Sequence, residues 1–340
     1  MSLEPIPLHR TTILRPFTEF LADIGAPIDR ILQQVKLPTL ALDEPDYYIP
    51  SLAFWKFVEK IAAKENIQDL GFLVGNRFGV NAIDPGYSKI LSHLPSLYHA
   101  LLKTCQAVKA ETSRSDMLVY CTHPGSTHFC HQTSFGIKHP NHFRMEWFAL
   151  MGMIGIIQEF TGPLWHPKEI GLMSYQRPST QIREYLPNCR FLNGQAYGFI
   201  SIETPLLSLP PLTKRNHRIV KSKTELISSP FGEPADDLVS SLKQVLQSYL
   251  LEGTPAIALA AEMANTILRS LQRELSNSKL TYLDLLAQIR FETASRLLKE
   301  RNLQIQEIAY KLGYNDASHF ARAFRRSAGM SPSEYRISRV

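Results

Sequence analysis

Apolar positions in the first hundred residues group into short segments with helical spacing, each opened by a capping residue or a leading proline. Pro27 stands near the start of DRILQQV, Ser51 before LAFWKFVEKIAAK, Asp69 before LGFLVG and Ser96 before LYHALLKTCQAV. Between Met117 and Thr133 the pattern changes to two β-prone runs, MLVYCTH and THFCHQT, around Pro124-Gly125-Ser126, which predicts a hairpin. Asn141 is placed to cap a helix through the apolar run to Phe160. EIGLMS, CRFLN and YGFISI then read as strands, interrupted by a helix that Ser179 starts. Helices and strands in this mixed order predict an α+β domain over residues 1–223.

Residues 224–236, ELISSPFGEPADD, break every period and carry Pro, Gly and a second Pro close together, so they read as a linker. Lys214, Arg215, Arg218, Lys221 and Lys223 form a basic stretch just before it, expected to be a solvated helix face. Beyond it no convincing strand pattern occurs. Asp236 or Asp237 is positioned to cap LVSSLKQVLQSYL, whose Leu238, Leu242, Val245, Leu246 and Tyr249 share one face. Residues 237–340 are thus expected to form an all-α domain.

The length of 340 residues exceeds what a single core usually supports, in keeping with this two-domain division. The longest apolar run, Trp147 to Ile157, falls well short of the roughly 20 residues that span a bilayer, and MSLEPIPLHR does not resemble a secretory signal. No membrane association is expected, and the location is read as cytoplasmic. Four cysteines in no CxxC pair are expected to stay reduced. The net charge is +6, and residues 260–340, with 13 basic against 8 acidic residues, hold nearly all of it. An anionic partner for the C-terminal region is therefore expected.

In that region a single layout is used by two segments. Ile305, Ile308, Ala309 and Leu312 make a short amphipathic helix that Gly313 ends, and Asn315 or Asp316 is placed to cap ASHFARAFRRSAG. Phe320 and Phe324 mark the buried side of this second helix, with Ala317 and Ala323 beside them. Ser318, Arg322, Arg325 and Arg326 fall roughly 140–240° away at 100° per residue. Upstream, Thr254 and Pro255 are expected to cap and open AIALAAEMA, Asn265 to turn the chain, and TILRSLQREL to follow with Leu268, Leu271 and Leu275 inward. Arg269 and Arg273 point away from that side and Gln272 lies on the flank. Tyr282 to Lys299 reads as one helix joining the two units. Helix, turn and basic second helix, used twice, is the arrangement of a helix-turn-helix reader of the DNA major groove.

The stretch IQEIAYKLGYNDASHFARAFRRSAGMSPSEYR closely resembles the C-terminal signature of the arabinose-operon-regulator (AraC/XylS) transcription factors. The resemblance extends back through IRFETASRLL and LQREL and covers residues 237–340. It implies two helix-turn-helix units joined by a long linking helix. Ile267 stands where the family usually has a small polar cap, and Asn265 where glycine is common, leaving Thr266 as the available cap. Segments such as IPSLAFWKFVEKIAAKENIQDLGFLVGNRFG and LPNCRFLNGQAYGFISIETPLLSLPPL resemble the arabinose-binding-type N-terminal domain of one branch of the family, which implies ligand sensing.

The expectation is a DNA-binding transcription regulator, with activator and repressor both open, using no cofactor. Arg322, Arg269 and Arg273 are expected at base edges, Gln272 and Ser318 as supporting base contacts, and Arg325 and Arg326 at phosphates. Expected partners are duplex DNA, a small-molecule effector held by unidentified residues of the N-terminal domain, a second copy of the chain and RNA polymerase. Two other readings are an effector-independent dimeric regulator and a metal-dependent enzyme fused to a DNA reader. The second would use Cys121, His123, His128, Cys130 and His131 on the hairpin, but these lack metal-ligand spacing, and half-buried hairpin residues are the simpler reading. Asp43, Glu44 and Asp46 read as loop solvation beside Pro45, and no GxSxG, HExxH, Walker A or GxGxxG motif occurs.

Overall fold

The computed structural model describes residues 3–43, 46–123, 125–133, 139–213, 233–300 and 303–339. The basic stretch from Lys214 to Lys223 and most of the expected linker lie outside these residues. In chain order the elements are β1 (Leu8–Arg10), α1 (Leu14–Asp23), α2 (Ile28–Gln34), β2 (Tyr48–Pro50), α3 (Ser51–Lys64), α4 (Leu70–Phe78), α5 (Tyr87–Leu91) and α6 (Leu97–Glu111). They continue with β3 (Ser115–His123), β4 (Ser126–Thr133), α7 (His142–Thr161), β5 (Glu169–Gly171), α8 (Thr180–Tyr185), β6 (Arg190–Leu192) and β7 (Gly198–Glu203). Seven helices follow: α9 (Leu238–Tyr249), α10 (Ile257–Met263), α11 (Leu268–Asn277), α12 (Tyr282–Leu297), α13 (Ile305–Lys311), α14 (Ala317–Ala328) and α15 (Pro332–Arg339).

The elements gather into two compact units. One comprises Thr12–Ile31 and Phe54–Glu233; the other comprises Met1–Thr11, Leu32–Ala53 and Pro234–Val340. The grouping differs from a division at residue 223, because two N-terminal segments join the C-terminal helices. The chain therefore passes between the units at four places, and α3 begins in one and continues in the other.

The first unit is α+β, with a five-stranded sheet in the order β3-β4-β7-β5-β6. The hairpin expected around Pro124-Gly125-Ser126 is formed by β3 and β4, with Val119 opposite Phe129. β5 and β6 run parallel through α8, whose start is capped as expected: Ser179 Oγ accepts from Ile182 N at 3.3 Å. Phe129, Ile170, Ile200 and Ile202 bury one sheet face in a core with α6 and α7. α4 and the residues just after it pack on α7 at backbone contact, since a Cβ on Gly71 of α4 would collide with the Arg144 carbonyl and one on Gly155 with the backbone at Gly79 and Val80, which follow α4. Asp69, Ser96 and Asn141 stand at helix starts as expected, yet none makes a side-chain cap bond. Asn141 instead bridges elements, donating from Nδ2 to the Trp55 carbonyl and accepting from Arg144.

In the second unit α9 buries Leu238, Leu242, Val245, Leu246 and Tyr249, the face that its spacing predicts. Asp237 caps it by accepting from Ser240 N at 2.9 Å. The short β1–β2 ribbon, which the sequence pattern did not disclose, packs beside this helix: Ser241 Oγ accepts from Ile6 N and Ser248 Oγ donates to the Tyr48 carbonyl, each at 2.9 Å. Glu252 accepts from Thr39 Oγ1 and Leu40 N, while Lys36 pairs with Glu262 at 2.5 Å. Lys36, Thr39 and Leu40 are thereby tied to the segments that precede and open the first helix-turn-helix. Among the described residues no helix is long and apolar enough to cross a membrane.

Candidate nucleic-acid interface

The downstream helix-turn-helix is built by α13 and α14 around one small core. Ile308, Ala309, Leu312, Phe320 and Phe324 are buried together with Ala294 and Leu297 from α12 and Leu298 just after it. Phe324 is the hub of this core, with ring centroids 5.7 Å from Phe320, 5.3 Å from Phe291 and 5.3 Å from Tyr335. The chain turns at Gly313, whose φ of +76° suits a residue without a Cβ. Asp316, one of the two caps the sequence offers, accepts from His319 N at 2.7 Å. That backbone bond, with Arg322 adding to it, holds the Asp316 carboxyl below the usual carboxylate range. Behind the turn, Gln304 and Glu307 form a capping box on α13.

With Phe320 and Phe324 committed inward, helical geometry sends the opposite face out. Ser318, Arg322, Arg325 and Arg326 are all exposed on α14, the side that the wheel assigns them. Arg336, although it belongs to the same signature, is used differently: it donates to the carbonyls of Leu298 and Leu303 at 3.1 and 2.8 Å, fastening α15 over the end of α12.

The upstream unit has the same outline with other residues. Ala260, Ala261, Met263, Leu271 and Leu275 are buried. Asn265 makes the turn at φ +48°, as its position predicts, and Thr266 N closes it onto the Ala261 carbonyl at 3.0 Å. Three expectations are corrected. Thr254 does not cap α10; the cap position is Ala256, without a side-chain bond, and Thr254 Oγ1 accepts from Arg290 Nη2 at 2.5 Å instead. Thr266 does not cap α11, because the cap position is Ile267, whose aliphatic side chain can accept nothing. Leu268, expected inward, is 42% exposed, since it precedes the turn that carries Leu271 and Leu275. Arg269, Gln272 and Arg273 are exposed on α11, as expected.

α12 lies between the units in the chain, and its 16 residues correspond to about 24 Å of rod at 1.5 Å per residue. It starts on a Thr281/Asp284 capping box and ends at Leu297, slightly short of the predicted Lys299. Two of its side chains tie the readers to it. Tyr282 donates to the Pro255 carbonyl at 2.9 Å, and Arg290 lies over the Tyr314 ring at 5.7 Å while holding Thr254. Helical spacing gave no sign of the Arg290 role, because a flanking arginine on a helix reads as solvated.

In the α+β unit the hairpin side chains Cys121, His128, Cys130 and His131 have separate surroundings. His128 stacks on Phe199 at 4.0 Å, Cys130 is buried, and Cys121 is exposed with its Sγ 3.6 Å from Thr127 Oγ1. Burial lowers His131 to about 4, with His142 adding to the effect. No group of three His, Cys, Asp or Glu side chains that could hold a metal occurs among the described residues. A residue that sequence reasoning missed is Glu146. It is buried on α7, burial pushes its carboxyl up to about 7, and it accepts from Met173 N and Ser174 N at 2.5 and 3.2 Å. Its only sequence signal is a lone acid beside an apolar run. An open groove of about 550 Å³ is lined by Ser96, Tyr98, Gly125, Thr204, Pro205, Leu207 and Ser208.

Comparison with known proteins bears on both units. Over 82 residues, 24% of each chain, this sequence is 43% identical to the ornithine utilization regulator of Pseudomonas aeruginosa. It is 31% identical over 134 residues to the transcriptional activator RhaR of Yersinia pestis, 39% of this chain and 44% of that one. The alignments thus span less than half the length of these curated relatives. Among solved structures, the transcriptional regulator CdpR from Pseudomonas aeruginosa aligns over 91% of this chain and 96% of its own, at 17% identity and a TM-score of 0.38. A helix-turn-helix family model matches residues 260–338. The arabinose-binding domain of AraC transcription regulators matches residues 25–210, more than half of the sequence, and the chain therefore belongs to the AraC family of transcription regulators.

Proposed function

We propose that this regulator recognises a specific duplex with α11 and α14, each entering the major groove. Arg269, Arg273 and Arg322 address base edges, Gln272 and Ser318 supplement them, and Arg325 and Arg326 hold phosphates. The observation carrying this reading is that all seven side chains are exposed, six of them opposite the buried pairs Leu271/Leu275 and Phe320/Phe324 and Gln272 on the flank. The test uses the full chain and a duplex recovered from a random pool by binding. Arg322→Ala should weaken that duplex by about 1–3 kcal/mol and relax preference at one or two positions, whereas Arg326→Ala should weaken cognate and random duplexes alike. Equal loss on both duplexes for Arg322→Ala would overturn the assignment of roles.

The same proposal assigns the α+β unit to a small-molecule effector, supported by its match to the arabinose-binding domain. On this reading the protein acts in the cytoplasm as a homodimer on repeated half-sites and contacts RNA polymerase, raising or lowering transcription. A ligand regulates only by binding one state better than another, so the effector must change the concentration of protein that half-saturates the duplex. Sedimentation with and without DNA checks the dimer. Transcription from a promoter carrying the selected site distinguishes activation from repression.

A further inference from the structure

α11 leads with two aliphatic side chains in solvent. Ile267 is 69% exposed and Leu268 42% exposed, and neither belongs to the buried core of its unit. The carbonyl of Ile267 is committed to the helix, accepting from Ser270 N and Leu271 N at 3.0 and 3.1 Å. Its side chain leaves the first helical turn without a cap. An apolar residue thus occupies a position where a hydroxyl or carboxylate would stabilise the helix.

The first residues of the second helix in a helix-turn-helix meet base edges. An aliphatic side chain there can hold no phosphate and can match no donor or acceptor. The apolar group that base pairs display in the major groove is the C5-methyl of thymine. Arg269, Gln272 and Arg273, exposed on the same helix, supply the polar contacts that would hold the aliphatic edge against the bases. We propose that Ile267, flanked by Leu268, is a specificity-determining residue that reads thymine methyl groups in the half-site entered by α11. The cap position of α14 is Asp316, a carboxylate, so the downstream unit has no aliphatic side chain at the matching position. The inference rests on α11 being a groove-entering helix.

Deoxyuridine deletes the thymine methyl and leaves the pairing pattern unchanged. In a duplex selected by the full chain, each thymine is replaced by deoxyuridine in turn, and the half facing α14 is identified as the one where Arg322→Ala relaxes preference. At one or two thymines of the other half, wild-type affinity should fall about fourfold per methyl, the transfer energy of one buried methyl-sized group. Ile267→Ser should bind thymine and deoxyuridine duplexes equally while unfolding at a higher temperature, because the hydroxyl can cap α11. Ile267→Val, which keeps a branched aliphatic, should retain the discrimination. A wild-type protein indifferent to every replacement, or Ile267→Ser with undiminished discrimination, overturns the proposal. Failure to recover any duplex is a different outcome, which overturns the DNA-reading assignment and this inference with it.

Discussion

In the downstream unit a glycine at φ +76° turns the chain and a carboxylate caps the next helix, whereas upstream Asn265 turns at +48° and Ile267 caps nothing. The cores differ likewise. Phe320, Phe324, Phe291 and Tyr335 form an aromatic cluster downstream, against Ala260, Ala261, Met263, Leu271 and Leu275 upstream. One layout is therefore carried by two balances of local terms. The downstream unit is specified by its own caps, turn and rings. The upstream unit has no side-chain cap on either helix and leans on neighbours, with Glu262 held by Lys36 and Pro255 by Tyr282. Outlines alone would call them equivalent, but their dependence on context differs.

The most damaging way to probe this contrast is truncation within the aromatic cluster. Phe320→Ala should cost about 3–5 kcal/mol in a denaturant titration of the full chain and abolish the downstream reader's DNA contribution. An effect no larger than a surface substitution would mean that the ring cluster does not specify the unit. The turns come next. Gly313→Ala should cost about 1–2 kcal/mol for forcing a Cβ into left-handed backbone, while Asn265→Gly should leave the thermal midpoint unchanged or raise it. Exchange of amide hydrogens should then separate the units without any mutation, with α10 and α11 exchanging about tenfold faster than α13 and α14 for want of caps. Uniform protection across both would erase the comparison.

The smallest effect concerns acid. The Asp316 carboxyl is held below its ordinary range in the folded chain, so it stabilises α14 above the pKa of the unfolded side chain, 3.8, and that stability is lost as pH falls through the lower folded value. Upstream, the cap positions Ala256 and Ile267 carry nothing that titrates. Between pH 5 and pH 3 the protection gap should narrow from the downstream side, and Asp316→Asn, which can still cap, should flatten the change.

Legibility followed the range of the forces involved. Seven basic or polar positions on α11 and α14 were readable because period, turn residue and charge all act within a few residues of one another. The same locality disclosed the β3–β4 hairpin and the cap at Ser179. Leu268 was misplaced because it is the first residue of α11, and the period drawn through Leu271 and Leu275 does not tell that the core ends before the helix does. β1 and β2, three residues each, are too short to show alternation, and their pairing depends on α9 far along the chain. Glu146 was hidden because nothing in its neighbours announces that Met173 and Ser174 will donate to it. Caps expected at Asp69 and Asn141 failed for a similar reason, as position does not reveal which acceptor or donor will compete.

The four passages of the chain between its two compact units also bear on modularity. Regulators of this kind invite recombination at the segment between sensor and reader, as if each were a bead on a string. Here a graft made at residues 224–236 would carry the C-terminal helices away from the β1–β2 ribbon and from the residues that hold Ser241, Ser248, Glu252 and Glu262. A working chimaera must transplant Met1–Thr11 and Leu32–Ala53 as well, so the exchangeable cassette is discontinuous in the gene although compact in space.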